Sequence, residues 1–465
     1  MKPKSLYLVS LFVLLSLLAG ACAPAAQPAQ AAQAPAGQSQ PASTAALEPT
    51  LAPSLPQTTP AAVTLTPATQ KQKKQPGEKM PTGPGSFTME QTLSDKAQEM
   101  TIAFDGLAFL TGNLGSDSFF PPGKVADFWG FQYLRDNDPS EMGHNTDFLT
   151  LASLNMFSIL TSQQKTQLAD LARSQVASIN DYGYKRFVLM TAFRRLLDGD
   201  LPAGTSGLNE EAVRALSAEM YRLDGQISLE RAQVMGNILY NLNDEQKAYL
   251  AKMVGQGMTS WPVVDEPVEL RPLSRDEKIA VMTYSGDLFS WYAGSIEADV
   301  YFCPERHGTY FGSFYMKDAP AVGNPGYSIG TNITADMGDA FIAALSPEQA
   351  PLITGLVDIQ RPYLEGIVDV RTQVSTELRQ TISGGSVDSA KVLSLMEQYG
   401  QLDGSLVYNF ATNFAKVGQT LTEAQKATLM DLRHQTLGDY TPDAAYLFSE
   451  PIPFPDVPNT DFLFK

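Results

Sequence analysis

The segment Leu160-Thr161-Ser162-Gln163-Gln164 begins a long amphipathic stretch that continues to residue 197. Thr161 is a typical helix cap, because its side-chain oxygen can accept a hydrogen bond from one of the first free amides. Gln164 lies three residues later and can bond back to the amide of Thr161, which completes a capping box. The segment therefore predicts the start of an α-helix.

Three further segments share this form and predict helix starts elsewhere in the chain. They are Leu242-Asn243-Asp244-Glu245-Gln246, Leu345-Ser346-Pro347-Glu348-Gln349 and Leu421-Thr422-Glu423-Ala424-Gln425. The residue after each leucine is the predicted cap, and the glutamine that ends each segment is its predicted partner. We expect Pro347 at the first helical position, where a missing amide costs nothing.

The spacing of apolar residues indicates an all-α protein. Apolar residues recur every three or four positions over most of the chain after residue 87, and alternation with a period of two is scarce. The predicted helical stretches are 94–110, 147–160, 163–197, 210–223, 229–242, 275–296, 335–345, 348–382, 389–399, 406–421 and 423–435.

Two parts of the chain repeat each other at a nearly constant offset. Phe119-Phe120-Pro121-Pro122 and Phe128-Trp129-Gly130 match Tyr301-Phe302-Cys303-Pro304 and Tyr310-Phe311-Gly312, 182 positions later. Leu223-Asp224-Gly225 matches Leu402-Asp403-Gly404, 179 positions later. These matches predict a tandem duplication.

The predicted duplication gives the domain organisation. We expect helical unit 1 at residues 87–265, helical unit 2 at 266–445 and a C-terminal tail at 446–465. Each unit carries a long aromatic-rich crossover loop between helices. The two units either pack around a pseudo-twofold axis or merge into one bundle.

The four capped segments resemble the LTxxQ motif of the Spy/CpxP family of periplasmic proteins. The resemblance covers the motif and the helix that follows it. Members of that family are all-helical and act as ATP-independent envelope-stress chaperones or as metal-responsive sensors. The resemblance thus implies an extracytoplasmic binding protein rather than an enzyme.

The N-terminal region predicts export and lipid anchoring. A basic start, Met1-Lys2-Pro3-Lys4, precedes an apolar run at residues 6–18, which is short for a membrane-spanning helix. Ala19-Gly20-Ala21-Cys22 resembles a bacterial lipobox, in which cleavage before the cysteine precedes attachment of a diacylglycerol to Cys22. We expect a signal peptide at 1–21 and a disordered Ala/Pro/Gln-rich tether at 22–86. An ordinary secretory signal with an incidental cysteine is the alternative.

The charge balance limits the partners. The formal net charge is −17, and almost all acidic residues follow residue 87. Nucleic acid and anionic lipid headgroups bind basic patches, so the composition argues against both as partners. We expect contact with the membrane through the lipid anchor, and with unfolded or other envelope proteins.

The second aromatic loop, residues 301–318, contains an unusual set of side chains. Cys303, His307 and Met316 are soft ligands of the type that binds copper, or haem iron axially. The matching positions in the first loop are Pro121, Val125 and Leu134. This difference predicts a metal or haem site confined to one unit. The alternative is ordinary packing of a buried thiol and a thioether.

The aromatic residues common to the two loops have a structural and a binding interpretation. Phe128, Trp129, Tyr310, Phe311 and Tyr315 either pin the crossovers onto the helices or contact an unfolded client or a sugar.

The chain has no phosphate-binding glycine loop, no G-x-S-x-G and no H-E-x-x-H motif, and its three histidines are widely spaced. The sequence therefore predicts a non-enzymatic envelope lipoprotein, chaperone-like or metal-responsive. A metal- or haem-binding redox protein and a structural component of a surface complex are the alternatives.

Overall fold

A computed structural model describes residues 95–112, 147–254, 261–265, 267–273, 275–293, 320–321, 324–328, 335–437, 445–447, 450–452, 456–457 and 459–465. The predicted signal peptide, tether and Cys22 lie outside these residues. The described part is dominated by α-helices, so the predicted all-α fold is confirmed.

Eleven α-helices are present in the described part of the chain. They are α1 Asp95–Thr111, α2 Asp147–Ile159, α3 Ser162–Asp198, α4 Glu210–Tyr240, α5 Asp244–Leu250, α6 Arg275–Ala293, α7 Ala335–Ala344, α8 Ala350–Thr354, α9 Leu356–Arg379, α10 Ser389–Gly418 and α11 Glu423–Leu437. Short 3-10 helices lie at Val268–Leu270, Gln380–Ser383 and Asp461–Leu463.

Two short antiparallel hairpins accompany the helices. Strand β1, Pro320–Ala321, pairs with β2, Asn324–Ser328, and β3, Ala445–Leu447, pairs with β4, Glu450–Ile452. Neither hairpin belongs to a larger sheet among the described residues.

The centre of the body is the crossing of α4 and α10. The rings of Tyr221 and Tyr399 lie 4.6 Å apart at this crossing. The Tyr221 hydroxyl donates a hydrogen bond to the carboxylate of Asp403. Both tyrosines and Asp403 are fully buried, so the crossing combines aromatic packing with a buried hydrogen bond.

The observed bounds of α4 and α10 differ from the predicted ones. We expected two helices at 210–223 and 229–242 and two at 389–399 and 406–421, with breaks near Asp224-Gly225 and Asp403-Gly404. Each pair is one continuous helix. A Cβ on Gly404 would lie 2.7 Å from Arg214 Cα, so this glycine allows the close approach of two helices rather than ending one.

The outer helices pack across the predicted unit boundary. Helix α1 of unit 1 packs on α7 of unit 2, and α6 of unit 2 packs on α2 of unit 1. The buried apolar side chains of both units form one continuous cluster. The hydrophobic core of the described residues is therefore shared by the two predicted units.

The end of the chain docks against the loop between α3 and α4. The amides of Ser206 and Asn209 donate to the carbonyls of Lys465 and Leu463 at 2.6 and 2.7 Å, and the amide of Lys465 donates to Gly207 at 2.9 Å. The side chain of Leu463 is fully buried. Part of the predicted tail is thus bound to the body by a strand-like set of hydrogen bonds.

Candidate functional site

All four predicted capping segments form their reciprocal bonds. At Thr161 the hydroxyl accepts from the Gln164 amide at 3.2 Å, and the Gln164 side chain accepts from the Thr161 amide at 2.9 Å. The same pair of bonds joins Asn243 to Gln246, Ser346 to Gln349, and Thr422 to Gln425. Thr161, Asn243 and Thr422 each stand directly before a helix and act as its cap, whereas Ser346 makes the bonds of a cap four residues before α8 begins.

One of the four predicted helix starts is wrong in position. Residues 347–349 form a turn, and helix α8 begins at Ala350. Pro351 lacks the amide that would extend the α-helical bonding back over this turn. Pro347 therefore precedes the helix instead of occupying its first position.

The capping glutamines also join the segments in pairs, which the sequence did not predict. Gln246 Nε2 donates to Gln164 Oε1 at 2.9 Å and to the carbonyl of Ile159 at 2.8 Å. Gln425 Nε2 donates to Gln349 Oε1 at 2.7 Å and to the carbonyl of Ala344 at 3.1 Å. We call these two arrangements the glutamine clasps. Each clasp ties the start of one helix to the end of another.

The two clasps hold the helices that follow the aromatic crossovers. Ile159 is the last residue of α2, and Ala344 is the last residue of α7. The first crossover connects α1 to α2, and the second connects α6 to α7. Each clasp therefore fixes the far end of the helix into which a crossover leads.

Two arginines hold the helix ends from which the crossovers depart. The Arg194 guanidinium lies 4.5 Å from the ring centroid of Phe109 and donates to the carbonyl of Gly112 at 3.2 Å. The Arg379 guanidinium lies 5.9 Å from the ring centroid of Trp291 and donates to its carbonyl at 3.1 Å. A cation above an aromatic face and near free carbonyls is favourable at a helix C-terminus.

Contacts of α11 and α3 give the relative direction of the outer helices. In α11, Gln425 bonds to the end of α7, whereas Arg433 donates to Thr111 at the end of α1, at 3.3 Å. Lys165, just after α2, pairs at 2.8 Å with Glu269, just before α6. Both arrangements indicate that α1 runs antiparallel to α7 and that α6 runs antiparallel to α2.

The crossover ends consequently meet in two places. Gly106 of α1 contacts Phe341 of α7, and Gly286 of α6 contacts Ser153 of α2. At 1.5 Å per helical residue, each C-terminus and its neighbouring N-terminus lie roughly 8–10 Å beyond these contacts. The end of α1 is therefore level with the start of α7, and the end of α6 is level with the start of α2. We call these two places the crossover roots.

A buried polar cluster lies next to one root and joins α3, α4 and α6. Tyr284 donates to Gln175 Oε1, and Gln175 Nε2 donates to Glu230 Oε2 at 2.9 Å. Arg231, 1% exposed, forms an ion pair with Asp287 and lies 5.1 Å from the ring centroid of Tyr284. The cluster fixes α6 against both neighbouring helices.

The electrostatics of this cluster are dominated by burial. Burial raises the pKa of Asp287 to about 7, although the positive charge of Arg231 acts in the opposite direction. Burial also raises the pKa of Tyr284, so its hydroxyl remains a hydrogen-bond donor. A carboxyl with such a pKa changes its charge near neutral pH.

The other predicted site residues lie outside the described residues. They are the lipidated Cys22, the donors Cys303, His307 and Met316, and the aromatics Phe128, Trp129, Tyr310, Phe311 and Tyr315. The copper or haem hypothesis therefore stays a prediction. Among the residues that the structure does describe, no group of three or more His, Cys, Asp and Glu side chains is arranged to hold a metal ion.

Comparisons with known proteins give no match. No family model, no curated protein and no solved structure is significantly similar to the chain. Within the described ranges, no helix combines the length and apolar character needed to cross a membrane.

Proposed function

We propose that the chain is a lipid-anchored, extracytoplasmic binding protein of the bacterial envelope, without enzymatic activity, whose helical body carries two aromatic crossovers as its binding elements. The observation that supports this most directly is the convergence of the four crossover ends at two roots. Such a body would present both aromatic segments from fixed positions, as binding loops are presented by a rigid scaffold.

The described helical surface offers little contiguous apolar area for a partner. Its large exposed apolar side chains lie on separate elements: Tyr184, Tyr240, Val263, Val268, Ile359, Met430 and Phe462. Large contiguous apolar patches on a protein surface mark sites that bind other proteins. This distribution favours the crossover aromatics Phe128, Trp129, Tyr310, Phe311 and Tyr315 as the contacts for a client.

The charge of the chain and the motif resemblance favour a protein partner. A net charge of −17 repels nucleic acid and other acidic surfaces. The glutamine clasps use the residues that resemble the LTxxQ motif, which is consistent with a chaperone-like or metal-responsive envelope-stress module. In this proposal Cys22 carries the acyl chains that hold the protein on the membrane.

Aggregation of an unfolded enzyme tests the binding proposal. The soluble chain, starting after Cys22, is added at a sub-stoichiometric amount to a chemically unfolded model enzyme, and light scattering is recorded. We expect suppression by the wild type and at least a fivefold weaker effect for Trp129→Ala with Tyr310→Ala. Tyr184→Ala with Tyr240→Ala is the matched control, because both of these tyrosines are exposed on helices.

Two results would contradict the binding proposal. If the wild type suppresses no aggregation, the chaperone-like proposal is wrong and a structural role is favoured. If the helix control loses as much activity as the crossover variant, the binding surface is not the crossovers. Cell fractionation of Cys22→Ser tests the anchor separately, because the variant should leave the membrane fraction.

A second candidate function rests on the difference between the two aromatic loops. Three soft ligands, Cys303, His307 and Met316, replace Pro121, Val125 and Leu134. A copper- or haem-binding redox protein would use these side chains. Metal analysis of the purified wild type and of Cys303→Ala tests this second function. Stoichiometric metal in the wild type that is lost in the variant supports the function. A wild type that stays metal-free after incubation with copper or haem excludes the function.

A further inference from the structure

The crossing of α4 and α10 has reciprocal contacts. A Cβ on Gly225 would lie 3.0 Å from Met396, and a Cβ on Gly404 would lie 3.1 Å from the Ser217 side chain. Gly225 and Gly404 are 179 positions apart, and so are Ser217 and Met396. Each contact therefore becomes the other when the helices exchange roles, as in the isologous interface of a twofold dimer.

The outer helices show the same reciprocity between the two halves of the chain. The part of the chain up to Val263, the first half, supplies α1 to pack on α7, and the second half supplies α6 to pack on α2. The final residues of the second half also bond to Ser206 and Asn209 of the first half. Each half thus completes the core of the other, as two swapped subunits do.

The interface also contains a difference that favours pairing of unlike halves. Gly400 of α10 lies so close to α4 that a Cβ there would be 2.5 Å from the Ser217 carbonyl oxygen. The position matched to Gly400 in the first half is Tyr221. A second copy of α4 in the place of α10 would bring a tyrosine side chain into this contact, where there is no space for it.

A hydrogen bond across the interface also disfavours the pairing of two second halves. The buried carboxylate of Asp403 accepts a hydrogen bond from Tyr221 of the first half. In a pair of second halves, a glycine would stand where that tyrosine stands. The loss of a hydrogen bond to a buried carboxyl group is costly, because the group has no access to water.

We propose that the two halves form a fused heterodimer: each is the specific non-covalent partner of the other, and the peptide link between them is not needed for their association. The interface is the α4–α10 crossing together with the exchanged contacts of α1, α6 and the chain end. This inference is independent of the proposed binding function.

Cleavage of the folded full-length chain tests whether the two halves associate without the peptide link. A protease recognition sequence is inserted after Val263, which is 92% exposed. The uncut insertion protein should keep the wild-type melting temperature. If it does not, the insertion is moved to follow the exposed Arg271.

After cleavage, native mass spectrometry should detect one complex with one copy of each half. The halves should separate in denaturant and form the same 1:1 complex after its removal. Separation of the halves in native buffer, or refolding into pairs of like halves, would overturn the proposal.

A glycine substitution in the cleaved protein tests the interface itself. Gly400→Ala should weaken the association of the halves by roughly tenfold to a hundredfold, because it adds a methyl group where backbone atoms leave no space. Tyr184→Ala is the control, because the Tyr184 side chain is exposed on α3. Equal dissociation constants for the two cleaved variants would show that the α4–α10 crossing does not hold the halves together.

Discussion

The loop between α3 and α4 and the loop between α9 and α10 begin alike and end differently. Both follow a glycine with left-handed backbone geometry, Gly199 with φ 73° and Gly384 with φ 78°. From Gly199 the chain takes 11 positions to reach the start of α4, and from Gly384 it takes five to reach the start of α10. Gly199 and Gly384 are 185 positions apart, whereas the matched glycines of α4 and α10 are 179 positions apart, and the six extra residues of the first loop equal this difference.

The longer loop has gained a partner that the shorter loop lacks in the described residues. Its residues Ser206, Gly207 and Asn209 form the edge to which the chain end binds. At the shorter loop, the ring of Tyr240 packs over Gly384 instead. The comparison teaches that a loop six residues longer at a helix corner can form a docking edge while the helices that follow both loops still pair.

The largest expected effect comes from removing the buried anchor of the chain end. Leu463→Ala should lower the free energy of unfolding by about 2–5 kcal/mol, because it leaves a cavity in the core. Phe462→Ala is the matched control, since Phe462 is 54% exposed, and should cost little. Urea unfolding of both variants checks this. Similar losses for the two would mean that the chain end is not bound through Leu463.

The two left-handed glycines should differ in their tolerance of alanine. Both variants adopt an unfavourable backbone conformation, which costs about 1 kcal/mol. Gly384→Ala should cost more than Gly199→Ala, because a Cβ at Gly384 would lie 3.0 Å from the Tyr240 ring and one at Gly199 meets nothing within 4 Å. Thermal unfolding compares them, and Gly384→Ala with Tyr240→Ala should remove most of the difference. A Gly199→Ala variant that is the less stable of the two would contradict the comparison.

A smaller effect is expected at the matched positions Arg195 and Gln380. Arg195 bonds to Asp461 at 2.7 Å and to Thr460 at 2.9 Å, and stacks on the ring of Phe464. Arg195→Ala should cost about 1 kcal/mol, discounted because part of the side chain is exposed to solvent. Gln380→Ala should cost less, since no docked segment contacts Gln380 among the described residues. Equal losses in urea unfolding would argue against a specific role for Arg195.

A further expected effect is a change in pH dependence at the buried cluster. Asp287 has a pKa raised to about 7 in the folded protein, so between pH 4 and 7 the folded state binds more protons than the unfolded state. The free energy of unfolding should therefore fall as the pH rises through this window. Asp287→Asn should flatten that fall in chemical unfolding measured at several pH values. An unchanged slope would exclude Asp287 as its source.

The features that the sequence predicts correctly are those that depend on residues close together in the chain. The four capping boxes and most helix positions follow from bonds between residues three positions apart, which a linear pattern contains. The predicted helices stop short of Gly225 and Gly404, whereas each glycine lies inside one continuous helix. Their real role depends on a second helix that lies far away in sequence, so no local pattern could reveal it.

The glutamine clasps show the same limit at the candidate site. The bond from Gln164 back to Thr161 was predictable, whereas its bond to Gln246 required knowing which helix ends meet. The sequence shows that the four segments are alike, but it does not show which segments contact each other. The Arg194 and Arg379 contacts had no signal at all, because an arginine near a helix end is ordinary in a sequence.

The packing of α1 of the first half on α7 of the second half bears on how the molecule matures. A chain made from its N-terminus produces residues 95–111 long before residues 335–344, so α1 must wait for the surface that will cover it. The distance in sequence between such partners slows folding. Until the second half has been synthesised, the early helices expose apolar faces that only the later helices can cover.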